Sequence, residues 1–259
     1  VFKYIFKLIV LTILLLSCSD IERDNLLDPK NPDSYSGTPI LIEAFVNTAL
    51  EYDIFALQAL DQIETNFGNQ VEIIEYHRAH PADTSNKDPY VNSIFDELHD
   101  DYAEFYDDGP KAVPDIYING SQGRVKGAYD MASVYSRLAP IITDIIGNQC
   151  EYALEVDLAV TGNLLNISYR IAHLGNKSDE NLELHTILVK DYELPNANRV
   201  VNYVSYPDAE LINKIDKGGY VKGNINDISI TNQPDYAIFT ITKQESITVL
   251  KTIKKEIPW

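Results

Sequence analysis

The chain has 259 residues, 45% of them hydrophobic, with 39 acidic and 21 basic side chains and a formal charge of −18. Nucleic-acid binding depends on neutralising phosphates with Lys and Arg, so this balance argues against a nucleic-acid partner and against an anionic lipid surface. The apolar content supports the cores of one large or two medium domains.

The first seven residues carry Lys3 and Lys7, and an apolar run from Leu8 to Leu16 follows. That run is too short to cross a bilayer and has the layout of a secretory signal. It closes on Leu15-Leu16-Ser17-Cys18, the pattern of a bacterial lipobox. Residues 1–18 are therefore expected to be a lipoprotein signal peptide, with Cys18 receiving the lipid. Each buried methylene of an acyl chain contributes about 0.8 kcal/mol, so two or three chains, palmitate among them, anchor stably where one does not. The implied partner is the membrane, reached through the N-terminal lipid. The implied location is the cell envelope, and Ser19 after Cys18 agrees with sorting to the outer membrane. Residues 19–37 are polar and rich in Asp, Asn and Pro, the composition of a flexible tether.

Residues 38–149 read as an α/β domain. Pro39 to Val46 is a nearly continuous apolar strand, as suits burial on both faces. Phe55, Leu57, Leu60, Ile63 and Phe67 recur at helical spacing, and Gly68 stops that helix. Asp53 is expected to cap it, with the helix starting at Ile54. Val71 to Tyr76 is a second strand, and residues 77–89 form a loop. A helix with an acidic outer face covers Val91 to Tyr106. Pro114 opens a strand closed by the turn signal Asn119-Gly120, and Arg124 to Ala128 returns from it. A last helix runs from Asp130 to Ile146, with Pro140 expected to kink it. Residues 150–259 alternate polar and apolar positions in short runs at 152–160, 164–173, 182–190, 199–205, 236–242 and 247–257. These predict an all-β domain, an antiparallel sandwich of immunoglobulin-like type.

The first domain resembles a thioredoxin-like fold. Ala112-Val113-Pro114 followed by DIYING looks like the element in which a cis-proline faces the redox cysteines. FVNTALEYDIFALQAL resembles the segment in which thioredoxin-like outer-membrane lipoproteins of bacteria carry a Cys-x-x-Cys pair before the first helix. EYH (75–77), DPYVN (88–92), YAEFY (102–106), HTILVKDYEL, RVVNYV and AIFTITKQESITVLKTIKKEI also occur in that family's order, the last three in its C-terminal β-domain. Aligned through Phe45, Asn47 and Thr48, the two redox positions fall on Leu50 and Asp53.

Thiol exchange needs a thiolate attacking a disulfide, and neither Leu50 nor Asp53 supplies one. The resemblance therefore implies a redox-inactive thioredoxin-like domain that acts as a binding or assembly module. A protein or extended-peptide partner would lie in the groove between Leu50–Asp53 and Val113–Pro114. The alternatives are residual thiol-disulfide activity through Cys150, otherwise a buried junction residue, or a surface lipoprotein binding peptide or carbohydrate. His77, His80 and Asp83 are weak metal candidates without a fourth ligand. No nucleophile elbow, phosphate-binding loop or EF-hand is present, so no cofactor is expected. The seventeen tyrosines are expected mainly as half-buried packing residues.

Overall fold

The computed structural model describes residues 38–80, 87–106, 111–148, 150–192 and 198–259, together with Leu26 and Asp28. Cys18 and almost all of the segment 19–37 lie outside the described residues, as does Asp83. Among the described residues, no helix is long and apolar enough to cross a membrane.

The chain begins with strand β1 (Ile40–Val46), helix α1 (Glu51–Phe67), a 3-10 turn (Gly68–Gln70), strand β2 (Val71–His77) and helix α2 (Ile94–Tyr106). Strands β3 (Asp115–Ile118) and β4 (Gly123–Lys126) and helix α3 (Met131–Ile145) follow. Strand β1 pairs in parallel with β2 and antiparallel with β3, which pairs antiparallel with β4. The order β2-β1-β3-β4, with helices on both faces, is that of a thioredoxin-like fold. Every residue of β1 is buried, as its unbroken apolar run predicts.

Alternation along the strands divides two cores. Ile40, Ile42, Ala44 and Val46 face α1 and α3, together with Ile73, Ile116 and Ile118. Leu41 and Phe45 face the other way, with Ile74, Tyr76 and Tyr117, and are covered by Phe95, Leu98 and Tyr102 of α2. Helix α3 is started by a reciprocal cap between Asp130 and Ser133, a motif worth about 1 kcal/mol, and it runs through Pro140 without a break in assignment.

Helix α1 begins three residues earlier than its apolar spacing predicts. Asn47 sets the turn: its Oδ1 accepts from the Ala49 amide at 3.0 Å, and its carbonyl accepts from the Leu50 amide at 3.0 Å. Leu50, in extended conformation, precedes the helix and offers no side-chain cap. Asp53 is thus not the cap. It lies inside the first turn and points into the protein, fully buried.

The remaining strands are β5 (Tyr152–Thr161), β6 (Leu164–His173), β7 (Asp179–Lys190), β8 (Val200–Val204), β9 (Glu210–Ile215), β10 (Tyr220–Ser229), β11 (Tyr236–Lys243) and β12 (Val249–Glu256). β10, β6 and β5 form one antiparallel sheet. Leu154, Val156, Ile167 and Ile171 of that sheet pack against Leu184, Leu188, Phe239 and Ile241 of a second sheet containing β7, β9, β11 and β12. This second sheet continues into the first half of the chain, because β8 lies parallel to β2 with Val200 opposite Glu75. The Glu75 amide donates to the Arg199 carbonyl at 2.8 Å across that joint. A second tie lies at the β3–β4 turn. Asn119 accepts from the Val249 amide at 3.1 Å, and Gly120 (φ +64°) packs so closely on the Ile247 carbonyl that a Cβ would not fit.

Candidate functional site

The β1–β3 ladder places Phe45 opposite Asp115. The chain leaving β1 toward Leu50 and the chain reaching β3 through Pro114 therefore lie at the same end of the sheet. The Val113–Pro114 peptide is cis. Leu50 and Val113 are half-buried, whereas Asp53 and Pro114 are buried. Of these four residues, Leu50 and Val113 are partly accessible and Asp53 and Pro114 are not.

Neither carboxyl oxygen of Asp53 has a hydrogen-bond partner. Burial pushes its pKa up to about 8, against an opposing pull from the Asn47 backbone, while the Asp88 carboxylate adds to the rise and His77 takes off a smaller part. Burial disfavours the carboxylate form there and favours the protonated acid.

Next to it runs a chain of charged groups. Asp88 accepts from the Thr48 amide at 2.7 Å, from the Tyr90 amide at 3.0 Å and from His77 Nδ1 at 2.9 Å. The other face of the imidazole, Nε2, lies 3.5 Å from Glu75. Burial alone would lower the His77 pKa, but the two carboxylates prevail and raise it to about 9. Glu75 is in turn paired with Arg199 at 2.9 Å, and Arg199 reaches Asp61 and Glu64 of α1, each at 2.8 Å. These partners hold Glu75 below the usual carboxylate range despite its burial.

The opposite face of the sheet carries a separate network. Glu43 lies between Leu41 and Phe45 on β1, accepts from Tyr102 at 2.8 Å and Tyr76 at 3.3 Å, and is pushed up to about 7 by burial. Asp115, next to the cis-proline, binds Arg124 through Nε at 2.9 Å and Nη2 at 2.7 Å. It also accepts from Tyr117 at 2.9 Å and pairs with His99 at 2.9 Å. The His99 ring stacks on Phe45, with 4.3 Å between ring centroids. Tyr76 and Tyr117 are fully buried rather than half-buried, because Glu43 and Asp115 satisfy their hydroxyls.

His77 is paired through Nδ1 with Asp88, and Nε2 lies 3.5 Å from Glu75. Among the described residues, no group of three or more His, Cys, Asp or Glu is arranged to hold a metal ion. Cys150 shares a pocket with Ile40, Asn69 and Asn119, at the other end of the sheet from Pro114. The seven residues of β1 separate those ends by about 20 Å. Its thiol lies 3.1 Å from the Leu250 carbonyl, and burial raises its pKa, which disfavours the thiolate.

The buried acids Glu43, Glu75 and Asp115 are not among the residues the sequence singled out. The available signal was an acid within or at the start of an apolar strand, since a buried carboxylate must find partners.

No family model and no curated protein matches the chain. Solved structures do. HBP35 of Porphyromonas gingivalis superposes with a TM-score of 0.62 at 9% identity, over 85% of this chain and 76% of that one. A structural-genomics target protein of Agrobacterium tumefaciens superposes with a TM-score of 0.56 at 12% identity, over 86% of this chain and 95% of that one. At these identities the likeness is one of fold: a thioredoxin-like half joined to a β-rich half.

Proposed function

We propose that the chain is a lipid-anchored cell-envelope protein of the outer membrane whose thioredoxin-like half is redox-inactive and serves as a binding or assembly module. Residues 150–259 form its immunoglobulin-like partner domain, and Cys18 carries the lipid. One observation carries the reading. The resemblance puts the two redox positions on Leu50, which has no ionisable group, and Asp53, a buried acid, at the end of the sheet where the Val113–Pro114 peptide is cis. The fold of the site is kept and its nucleophile is absent. Leu50 and Val113 remain accessible beside the cis-proline, where an extended peptide can pair with backbone and fill a shallow apolar surface. Asp53 acts from below by shaping that surface and does not touch the partner.

Insulin reduction with dithiothreitol as electron donor tests the reading. The purified protein is expected to leave the uncatalysed rate unchanged, and Cys150→Ser to behave identically. Turnover that disappears in Cys150→Ser would overturn it.

A further inference from the structure

A cavity of about 430 Å³ opens between α2, β7 and β11, on the face of the sheet opposite Asp53. Its volume lies in the range of small-molecule pockets. Leu98 and Phe105 of α2, Ile187, Val204, Ile247 and Val249 supply apolar wall. Glu43 also lines it, buried and oriented by the Tyr76 and Tyr102 hydroxyls. Each oxygen of Glu43 accepts one hydrogen bond from a tyrosine, and a carboxylate oxygen can accept a second.

The charge around the cavity has one sign. Asp101 and Glu104 of α2, Glu183 of β7 and Glu245 of the β11–β12 turn join Glu43, and no Lys or Arg is among the lining residues. Asp101 is held by the Tyr206 hydroxyl at 2.6 Å and Glu183 lies 3.5 Å from His185. Acids on three separate elements thus converge on an apolar pocket with a buried carboxyl in its wall. Clefts lined by one sign of charge concentrate ligands of the other sign. The aromatic rings of Tyr76, Tyr102 and Tyr206 add faces that attract cations.

We infer that this cavity is a binding site for a small organic cation, an ammonium group on an apolar body. The ammonium donates to Glu43, the body lies against Leu98, Phe105, Ile187 and Val249, and the rim carboxylates draw the ligand in. Burial raises the Glu43 pKa to about 7, and an ammonium beside the carboxyl would lower it.

Isothermal titration calorimetry of the purified protein with 2-phenylethylammonium is the test. Its neutral analogue 3-phenylpropan-1-ol, its anionic analogue 3-phenylpropanoate and calcium chloride serve as comparisons. The ammonium is expected to bind saturably with one site, and both analogues at least tenfold more weakly. Glu43→Gln, which keeps an acceptor for the tyrosines, is expected to weaken the ammonium at least tenfold. The surface pair Glu104→Gln/Glu245→Gln is expected to weaken it two- to fivefold and flatten its salt dependence. Equal binding of alcohol and ammonium would overturn the inference, as would no saturable ammonium binding, or calcium binding in its place. If Glu43→Gln does not fold, the surface pair decides: unchanged affinity and salt dependence contradict the inference.

Discussion

Arg199→Leu is expected to destabilise the protein by about 3–5 kcal/mol, the usual cost of leaving one member of a buried ion pair without its partner. Arg199 is 5% exposed and is shared by Glu75, Asp61 and Glu64. Asp61 and Glu64 are half exposed and lose little, because water replaces the guanidinium. Glu75 is buried and loses the cation that keeps it ionised, with only His77 left. The loss falls on the single-residue joint where β8 meets β2, so it loosens the connection between the two halves of the long sheet. Urea denaturation measures the effect. Glu75→Gln added to Arg199→Leu should cost less than Glu75→Gln alone, since the two residues act as a unit. A loss below about 1 kcal/mol for Arg199→Leu would show that the pair is as weak as a surface bridge.

Asp53→Leu is expected to stabilise the protein at pH 8 and to leave it nearly unchanged at pH 4. The folded carboxyl keeps its proton to about pH 8, against an ordinary value of 3.8. Folding therefore takes up a proton between those values, and stability falls as pH rises through the interval. The penalty at pH 8 is on the order of 2–5 kcal/mol, and leucine removes it while filling a similar volume. His77 acts in the same direction. Its stabilising charge is fully present below its ordinary value of 6.5 and is lost as pH rises toward about 9. Asp88, Glu75 and Asp115 are held low and act the other way, losing stability only as pH falls below the usual carboxylate range. The wild-type melting temperature should therefore decline from pH 5 to pH 9. Asp53→Leu should show a shallower decline, with the His77 and Glu43 parts remaining. An identical slope in the two proteins would mean that Asp53 is ionised and hydrated in the fold.

Much of the first half was legible because its signals are local. The unbroken apolar run of β1, the helical spacing of Leu57, Leu60 and Ile63, and the proline before DIYING each report one element and its environment. Helix α1 began earlier than predicted because Asn47, a residue outside the helix, fixes its start. Strands β9 and β10 were missed because they bury little. Tyr220 to Ser229 contains Gly223 and two asparagines, and most of its side chains are exposed, so no apolar alternation marks it. The joint of β8 to β2 rests on one register pair and left no pattern. The site was legible as a location and not as chemistry. The resemblance put the redox positions on Leu50 and Asp53, but the burial of Asp53 depends on the turn at Asn47 and on the loop carrying Asp88. Besides Tyr76 and Tyr117, Glu43 and Asp115 acquired partners through Tyr102, His99 and Arg124, brought together by α2 and β4.

In the proposed function, the groove keeps thioredoxin-like geometry and lacks only its nucleophiles. Insulin reduction by the Leu50→Cys/Asp53→Cys variant, in the Cys150→Ser background, tests that statement most directly. The prediction is a rate clearly above the uncatalysed one for the two-cysteine variant, from a buried second thiol and an accessible first one, and no rate enhancement by the wild type. Catalysis by the wild type, or a folded two-cysteine variant that cannot close a disulfide, would contradict it.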